Sequence, residues 1–337
     1  MRRFAIRTFD AVVLLWLVTT LTFALIHLAP GDPATLLVAP TATAEEVARQ
    51  RARFGLDASL PAQYAQWIGA LLRGDLGTSL ATARPVRTII ADAFPVSLAL
   101  GGISLLLSFV IGVIMGGWQA LRARQFADTA VGVVSTVIYA APSFWLALAL
   151  VVLATSGAAA IGAPAWLRLP AFGIESPGAL ATGLDRWRDI ARHALLPMLV
   201  LALPGAAGVA RYARQAMHDA ARAPHVAAAS ARGVPRARVE RRYVLRNALT
   251  PLVVLFGLML PGVIAGSVFV EQVFAWPGLG RTMLTAIAAR DYPVVLSLTV
   301  LYAAVVIGAN LLADVVLWRL DPRQRAMRDV NPGAVTP

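Results

Sequence analysis

Apolar residues in this chain gather into six runs that contain no Asp, Glu or Arg, and each run is long enough to supply a crossing of a bilayer core about 30 Å thick. The runs cover 11–30, 95–121, 129–167, 193–210, 247–270 and 292–313. The third is longer than one span needs, so the pattern predicts a helix over about 131–154 followed by an external loop. Six transmembrane helices follow, at about 9–29, 95–118, 129–155, 194–214, 250–271 and 293–316. The fold class is an all-α polytopic membrane protein, with 1–337 read as a single transmembrane domain. Pro142, Pro197, Pro204, Gly205, Pro261 and Gly262 fall inside these runs, where neighbouring helices can satisfy freed backbone groups. The runs are continuous rather than alternating, which argues against a β-barrel. Arg2, Arg3 and Arg7 precede the first run as in a secretory signal peptide, but its apolar core is long and no small-x-small cleavage site precedes Pro30. It reads as an uncleaved first helix.

The arginines orient the spans, because basic residues near helix ends are preferentially retained in the cytoplasm. Segment 211–246 holds nine Arg against Asp219 and Glu240, whereas loop 31–94 balances six Arg with six acids and 271–291 has two of each. Both termini, 118–130 and 211–246 are therefore expected inside, with 31–94, about 156–193 and 271–291 outside. The formal net charge of +12 is sorted by side of the membrane, which disfavours a nucleic-acid-binding face as its cause. Only 14% of residues are charged, far below the roughly 25% of soluble domains.

All 30 basic residues are Arg, and there is no cysteine. The chain thus has no phosphate-loop Lys, no Schiff-base Lys, no thiolate nucleophile and no zinc-thiolate site. If transport consumes ATP, another polypeptide hydrolyses it. The four histidines, His27, His193, His218 and His225, lack the i,i+4 pairing of a metal site, and none is expected.

Loop 31–94 contains a predicted helix around 45–54 with Glu45 and Glu46 in its first turn, ending near Gly55. A second short amphipathic helix at 64–72 carries Tyr64, Trp67, Leu71 and Leu72. It is read either as a lid or docking surface, or as packed connecting structure.

Between the fourth and fifth spans the chain reads Ala223-Pro224-His225-Val226-Ala227-Ala228-Ala229-Ser230-Ala231-Arg232-Gly233-Val234-Pro235. Pro224 suits a first helical turn, the alanines favour helix, Gly233 suits a left-handed C-terminal cap and Pro235 the start of a second helix. The expected object is a helix-turn-helix knuckle pointing into the cytoplasm. Its first helix has no bulky apolar face, so little core of its own is expected. It is a docking knuckle for another protein's groove, or a solvated basic loop.

This segment resembles the cytoplasmic-loop signature of ABC importer permeases in the form found in the dipeptide, oligopeptide and nickel permease family. Gly233 matches the signature glycine, and Ala227, Ala228 and Ala229 stand at the Glu-Ala-Ala positions. The glutamate is missing, and Pro224-His225 replaces an acidic residue and Tyr, so no role of those side chains carries over. Further resemblances lie, in the family's order, at Ala29-Pro30-Gly31-Asp32-Pro33, at Gly74-Asp75-Leu76-Gly77-Thr78-Ser79 and at Ala141-Pro142-Ser143-Phe144. They continue at Arg192-His193-Ala194-Leu195-Leu196-Pro197, at Arg211-Tyr212-Ala213-Arg214 and at Phe274-Ala275-Trp276-Pro277-Gly278-Leu279-Gly280-Arg281. The last two are Arg290-Asp291-Tyr292-Pro293 and Leu320-Asp321-Pro322-Arg323.

The resemblance implies the type I ABC importer permease fold and a non-catalytic subunit with no cofactor of its own. It also implies partners: a paralogous second permease, two cytoplasmic ATPase subunits that hold ATP and Mg, and an external solute-binding protein delivering peptides or a related solute. Pro224, His225, Val226, Ala227, Ala228, Ala229, Arg232 and Gly233 are the expected ATPase-coupling loop. Trp276, Pro277 and Gly278 are read either as an external gate or binding-protein contact, or as an interfacial aromatic anchor with a tight turn. The bacterial inner membrane is the expected location. The alternative class is a gradient-driven transporter or channel, which usually places ionisable groups within its spans, whereas the cores of these spans offer only Ser, Thr, Asn310 and His27 as polar candidates.

Overall fold

The computed structural model describes residues 2–28, 43–53, 57–123, 125–164, 168–178, 182–265 and 267–320. In chain order its helices are α1 (Arg2–Leu28), α2 (Ala44–Arg53), α3 (Leu60–Leu72), α4 (Val86–Leu121), α5 (Phe126–Ala140) and α6 (Ser143–Ala160). They continue as α7 (Leu184–Ala221), α8 (Pro224–Ala231), α9 (Arg236–Met259), α10 (Gly262–Ala265), α11 (Val268–Val273), α12 (Leu279–Ala288) and α13 (Tyr292–Leu320). An isolated bridge between Thr78 and Pro85 is the extended pairing found among the described residues. The motifs around Pro30 and Asp321, and the expected helix end at Gly55, lie outside the described residues.

Among the described residues, six helices are long and apolar enough to cross a membrane: Thr8–Leu28, Val86–Leu121, Ser143–Ala160, Leu184–Ala221, Arg236–Met259 and Tyr292–Ala313. On α1, Phe9, Trp16, Leu21 and Leu25 are all more than half exposed, as befits a helix whose surroundings are lipid.

Two stretches expected to be continuous are broken. The helix expected over about 131–154 is two helices, α5 and α6. Ala141, at φ −67° and ψ 130°, is extended because the Pro142 ring clashes with a helical residue before it. The stretch at 250–271 breaks after Met259, just before Pro261-Gly262, and resumes as the short α10 and α11. At its other end this element begins earlier than expected. The second helix of the knuckle and the fifth apolar helix are one rod, Arg236–Met259, with a π turn at Val239–Leu245. Pro197 and Pro204, by contrast, are absorbed inside α7.

The chain divides into two compact units, Met1–Leu98 with Ala275–Ile307, and Ala99–Phe274 with Gly308–Pro337. In the second unit α4 lies backbone-close against α7. A Cβ on Gly112 would stand 2.7 Å from the Ala206 carbonyl oxygen, and one on Gly116 would stand 2.3 Å from that of Ala210. Small residues make this approach possible, and the Ser108 hydroxyl uses it to donate to the Ala202 carbonyl at 3.0 Å. Arg214 of α7 donates to both oxygens of Asp128 on α5, at 3.0 and 2.7 Å, and Asp128 is 5% exposed. Ala147, Leu196, Val200, Val270 and Phe274 form an apolar core in the same unit.

In the first unit, Tyr64 and Trp67 of α3 pack against Phe23 of α1, with ring centroids 5.2 and 5.7 Å apart. Thr20 and the Tyr64 hydroxyl are 2.6 Å apart. Helix α3 thus rests its aromatic face on α1. The carboxylate of Asp291, 3% exposed, accepts from the Ser79 hydroxyl and from the backbone N–H groups of Leu80 and Ala81, the latter at 3.0 and 3.3 Å. This contact joins two of the sequence motifs, 74–79 and 290–293, more than 200 residues apart in the chain.

Candidate functional site

Helix α7 ends at Ala221, and the chain reverses through Ala223, which is extended at φ −67° and ψ 141°. Pro224 then opens α8 where a missing N–H leaves no helical bond unmade. At the far end Gly233 sits at φ +78°, in the left-handed region. Its N–H donates to the Ser230 carbonyl at 3.0 Å and the Val234 N–H donates to that of Ala229 at 3.2 Å. This crossed pair is the Schellman closure, and Val234 supplies its apolar contact. Pro235 then leads into α9.

The eight residues of the expected coupling loop divide by face. Val226 and Ala229 point inward, 6% and 0% exposed, and form a small core with Val239 of α9, flanked by Ala223, Val234, Tyr243 and Val244. The expectation that α8 makes little core of its own is therefore corrected, because two small apolar residues at i and i+3 suffice once Val239 and Tyr243 close over them. Pro224, His225, Ala227, Ala228, Arg232 and Gly233 are exposed. His225 also reaches α9: the Asn247 side-chain amide donates to its Nε2 at 2.9 Å and to the Tyr243 carbonyl at 2.6 Å. Apart from His225 and the flanking Arg232, the knuckle's exposed residues are small, and it is fastened by apolar contact and hydrogen bond to the start of a rod long enough to cross a membrane.

The second expected site, 276–278, lies in a tight turn. The Gly278 N–H donates to the Trp276 carbonyl at 2.8 Å, the Arg281 guanidinium to the Ala275 carbonyl at 2.8 Å, and the Leu279 N–H to the Ser97 hydroxyl at 2.7 Å. Trp276 is 4% exposed and its indole N–H is buried without a partner among the described residues. Pro277 is the exposed residue of the three. Nearby in sequence, Glu271 is wholly buried and accepts from the Ser267 hydroxyl at 2.7 Å. Sequence reasoning placed Glu271 in a loop and did not pair Asp128 with Arg214 or Asp291 with Ser79. The available signal was that Arg214, Ser79 and Asp291 each sit in a motif already singled out.

The described residues build a set of membrane-length helices with a capped knuckle, the make-up of a transport protein. Two family models match the chain: "Binding-protein-dependent transport system inner membrane component" over residues 108–326, and its N-terminal companion, "Binding-prot-dependent transport system membrane comp, N-term", over residues 1–101. The chain belongs to this family, and is a multi-pass permease subunit of an ABC importer. Among its relatives is the oligopeptide transport system permease protein AppB of Bacillus subtilis, 35% identical over 94% of this chain and 97% of that one. The di/tripeptide transport system permease protein DppB of Pseudomonas aeruginosa is 35% identical over 92% and 95%. The probable D,D-dipeptide transport system permease protein DdpB of Escherichia coli is 34% identical over 91% and 92%. The fold is shared with the crystal structure of an amino acid ABC transporter with histidines, at a TM-score of 0.51 and 14% identity over 69% of this chain and 95% of that one.

Proposed function

We propose that this chain forms half of a translocation path for di- or oligopeptides, or a related small solute, across the bacterial inner membrane. In this reading a paralogous permease forms the other half, a solute-binding protein delivers the solute from outside, and two ATPase subunits hold ATP and Mg and bind at 224–233. The termini and the knuckle face the cytoplasm, and the Trp276-Pro277-Gly278 turn faces outward as a gate or binding-protein contact. The peptide assignment rests on the named relatives.

The observation that carries the reading is the build of the knuckle. Pro224, Ala227, Ala228 and Gly233 offer a surface without bulk or long side chains, which suits insertion into a groove, while Val226 and Ala229 lock that surface to α9. A displacement of α8 by a closing ATPase is then passed to a rod of 24 residues, about 36 Å long. A gated path needs such a bias from outside itself.

The test is Ala228→Glu. Ala228 is exposed, so a glutamate there leaves the fold intact and obstructs only a close-fitting partner. Peptide uptake in cells should fall to background and the ATPase should no longer co-purify, while the permease stays at its normal level in the membrane. Normal uptake with a retained ATPase would place the coupling elsewhere on the chain.

A further inference from the structure

The first turns of α9 sort their residues by face. Arg238, Arg241, Arg242 and Arg246 are exposed, while Val239 is buried and Tyr243 and Val244 pack half-buried against the knuckle. Arg238, Arg242 and Arg246 recur every four residues and so stack along one side of the rod. Leu249, Thr250 and Val253 continue that side from Arg246 at i+3, i+4 and i+7, and all three are exposed as well. The face therefore turns from basic to apolar just after Arg246, where the charge-free run 247–270 begins.

The chain supplies these arginines with no acid. Segment 211–246 has two carboxylates, and both are engaged elsewhere: Glu240 accepts from Arg236 at 2.8 Å and Asp219 from the Gln215 amide at 2.9 Å. Among the described residues no carboxylate pairs with Arg238, Arg241, Arg242 or Arg246. From Arg238 to Arg246 the rod advances about 12 Å. A headgroup layer is about 5 to 7 Å deep, and arginine stems can run along the rod to bring their charged ends into it. Leu249 and Val253, 40% and 39% exposed, stand on the hydrocarbon side of that layer.

We infer that this face of α9 is a binding surface for the anionic phospholipid headgroups of the cytoplasmic leaflet. Headgroup phosphates pair with the four guanidinium groups, and acyl chains cover Leu249 and Val253. Charge and apolar surface follow one another along the rod in the order in which that leaflet presents headgroup and chain. An ATPase seated on the knuckle is a poorer occupant. Val239, Tyr243 and Asn247, which hold the knuckle, each sit one position on from an arginine, so the basic face is turned roughly 100° away from them. The inference rests on the proposed orientation, with 211–246 in the cytoplasm, and not on the identity of the solute.

The experiment uses the assembled transporter, its partner subunits freed of cysteine, in nanodiscs of phosphatidylcholine and phosphatidylglycerol. Thr250→Cys, exposed one turn above Arg246, carries a fluorophore as the single thiol of this chain. Quenching is compared between phosphatidylglycerol and phosphatidylcholine bearing the same doxyl label high on the acyl chain. Labelled phosphatidylglycerol should quench more effectively by roughly fivefold, and the excess should shrink as salt rises. Replacing all four arginines by Gln should abolish the excess while the ATPase still co-purifies. Replacing them by Lys should keep most of it, because the attraction is chiefly one of charge; Arg242→Gln with Arg246→Gln should already reduce it. Both leaflets of a nanodisc have the same composition, so this readout does not depend on orientation, and a reversed chain is detected separately by maleimide labelling of Ala227→Cys. Equal quenching by the two lipids, or an excess that survives the loss of all four charges, would overturn the inference. So would a fluorophore that neither lipid reaches, because protein would then cover the face, or a Gln variant that loses the ATPase and keeps its lipid preference.

Discussion

At the level of single residues, two neighbouring positions of one helix separate folding from docking. Gly233 holds φ +78° with nothing within 4 Å of where a Cβ would stand, so a side chain there meets no neighbour and its cost is conformational alone. For Gly233→Val that cost is about 1 to 2 kcal/mol, concentrated in the Schellman turn. The permease should reach the membrane at normal levels while peptide uptake and ATPase co-purification both fall. Ala229→Glu should behave differently from Ala228→Glu. Ala229 is fully buried between α8 and α9, so the carboxylate is forced into the apolar core of the knuckle at a cost of several kcal/mol. Its signature is increased proteolysis around 222–246 in limited digestion, which Ala228→Glu should lack. The sequence pattern 224–233 revealed the helix, its cap and its turn. It did not reveal which alanines face inward, because three consecutive alanines carry no periodicity and the face is chosen by Val239 and Tyr243 from the next helix.

At the level of elements, legibility followed the same logic. Helix α4 and helix α7 were visible as apolar runs, since lipid selects for apolar surface whatever the neighbours. The breaks at Ala141-Pro142 and Pro261-Gly262 were harder to foresee, because Pro197 and Pro204 lie in equally apolar surroundings and leave α7 unbroken. What decides is whether packing holds the helix on both sides, and packing is not written in one run. The pairing of α5 with α7 through Asp128 and Arg214 was likewise invisible, as each charge alone reads as a flank of its span. Removing one partner of a buried pair costs about 3 to 5 kcal/mol, and the 37% exposure of the Arg214 side chain places this pair at the lower end. Asp128→Leu should therefore lower the thermal stability of the detergent-purified complex markedly. The double variant Asp128→Leu with Arg214→Leu should recover much of the loss, because no charge is left stranded; a double variant no more stable than the single one would show that the pair does more than neutralise itself. Gly116→Val should also prevent normal assembly of α4 on α7, since its Cβ would stand 2.3 Å from a backbone oxygen that cannot move aside.

At the level of the whole molecule, the division of labour and the orientation stand or fall together. A chain with no lysine has no phosphate-loop lysine with which to hydrolyse ATP; in the proposed reading ATPase subunits bind the knuckle, and that reading requires 222–246 to face the cytoplasm. The nine arginines of 211–246 against two acids predict that side, while the balanced charge of 31–94 predicts the opposite side for α3. The absence of cysteine makes the test direct, because a single introduced thiol is the only one in the chain. Ala65→Cys lies on the exposed face of α3 and Ala227→Cys on the exposed face of α8, and alanine to cysteine is a small change at either place. A membrane-impermeant maleimide added to spheroplasts should label Ala65→Cys at once and leave Ala227→Cys unmodified until the membrane is opened. In opened vesicles, adding the ATPase subunits should then protect Ala227→Cys and leave Ala65→Cys reactive, since only the former lies on the proposed docking face. Labelling of Ala227→Cys from outside would reverse the orientation and remove the route by which ATP hydrolysis could move α9; labelling only from inside, but without protection by the ATPase, would keep the topology and move the contact away from α8.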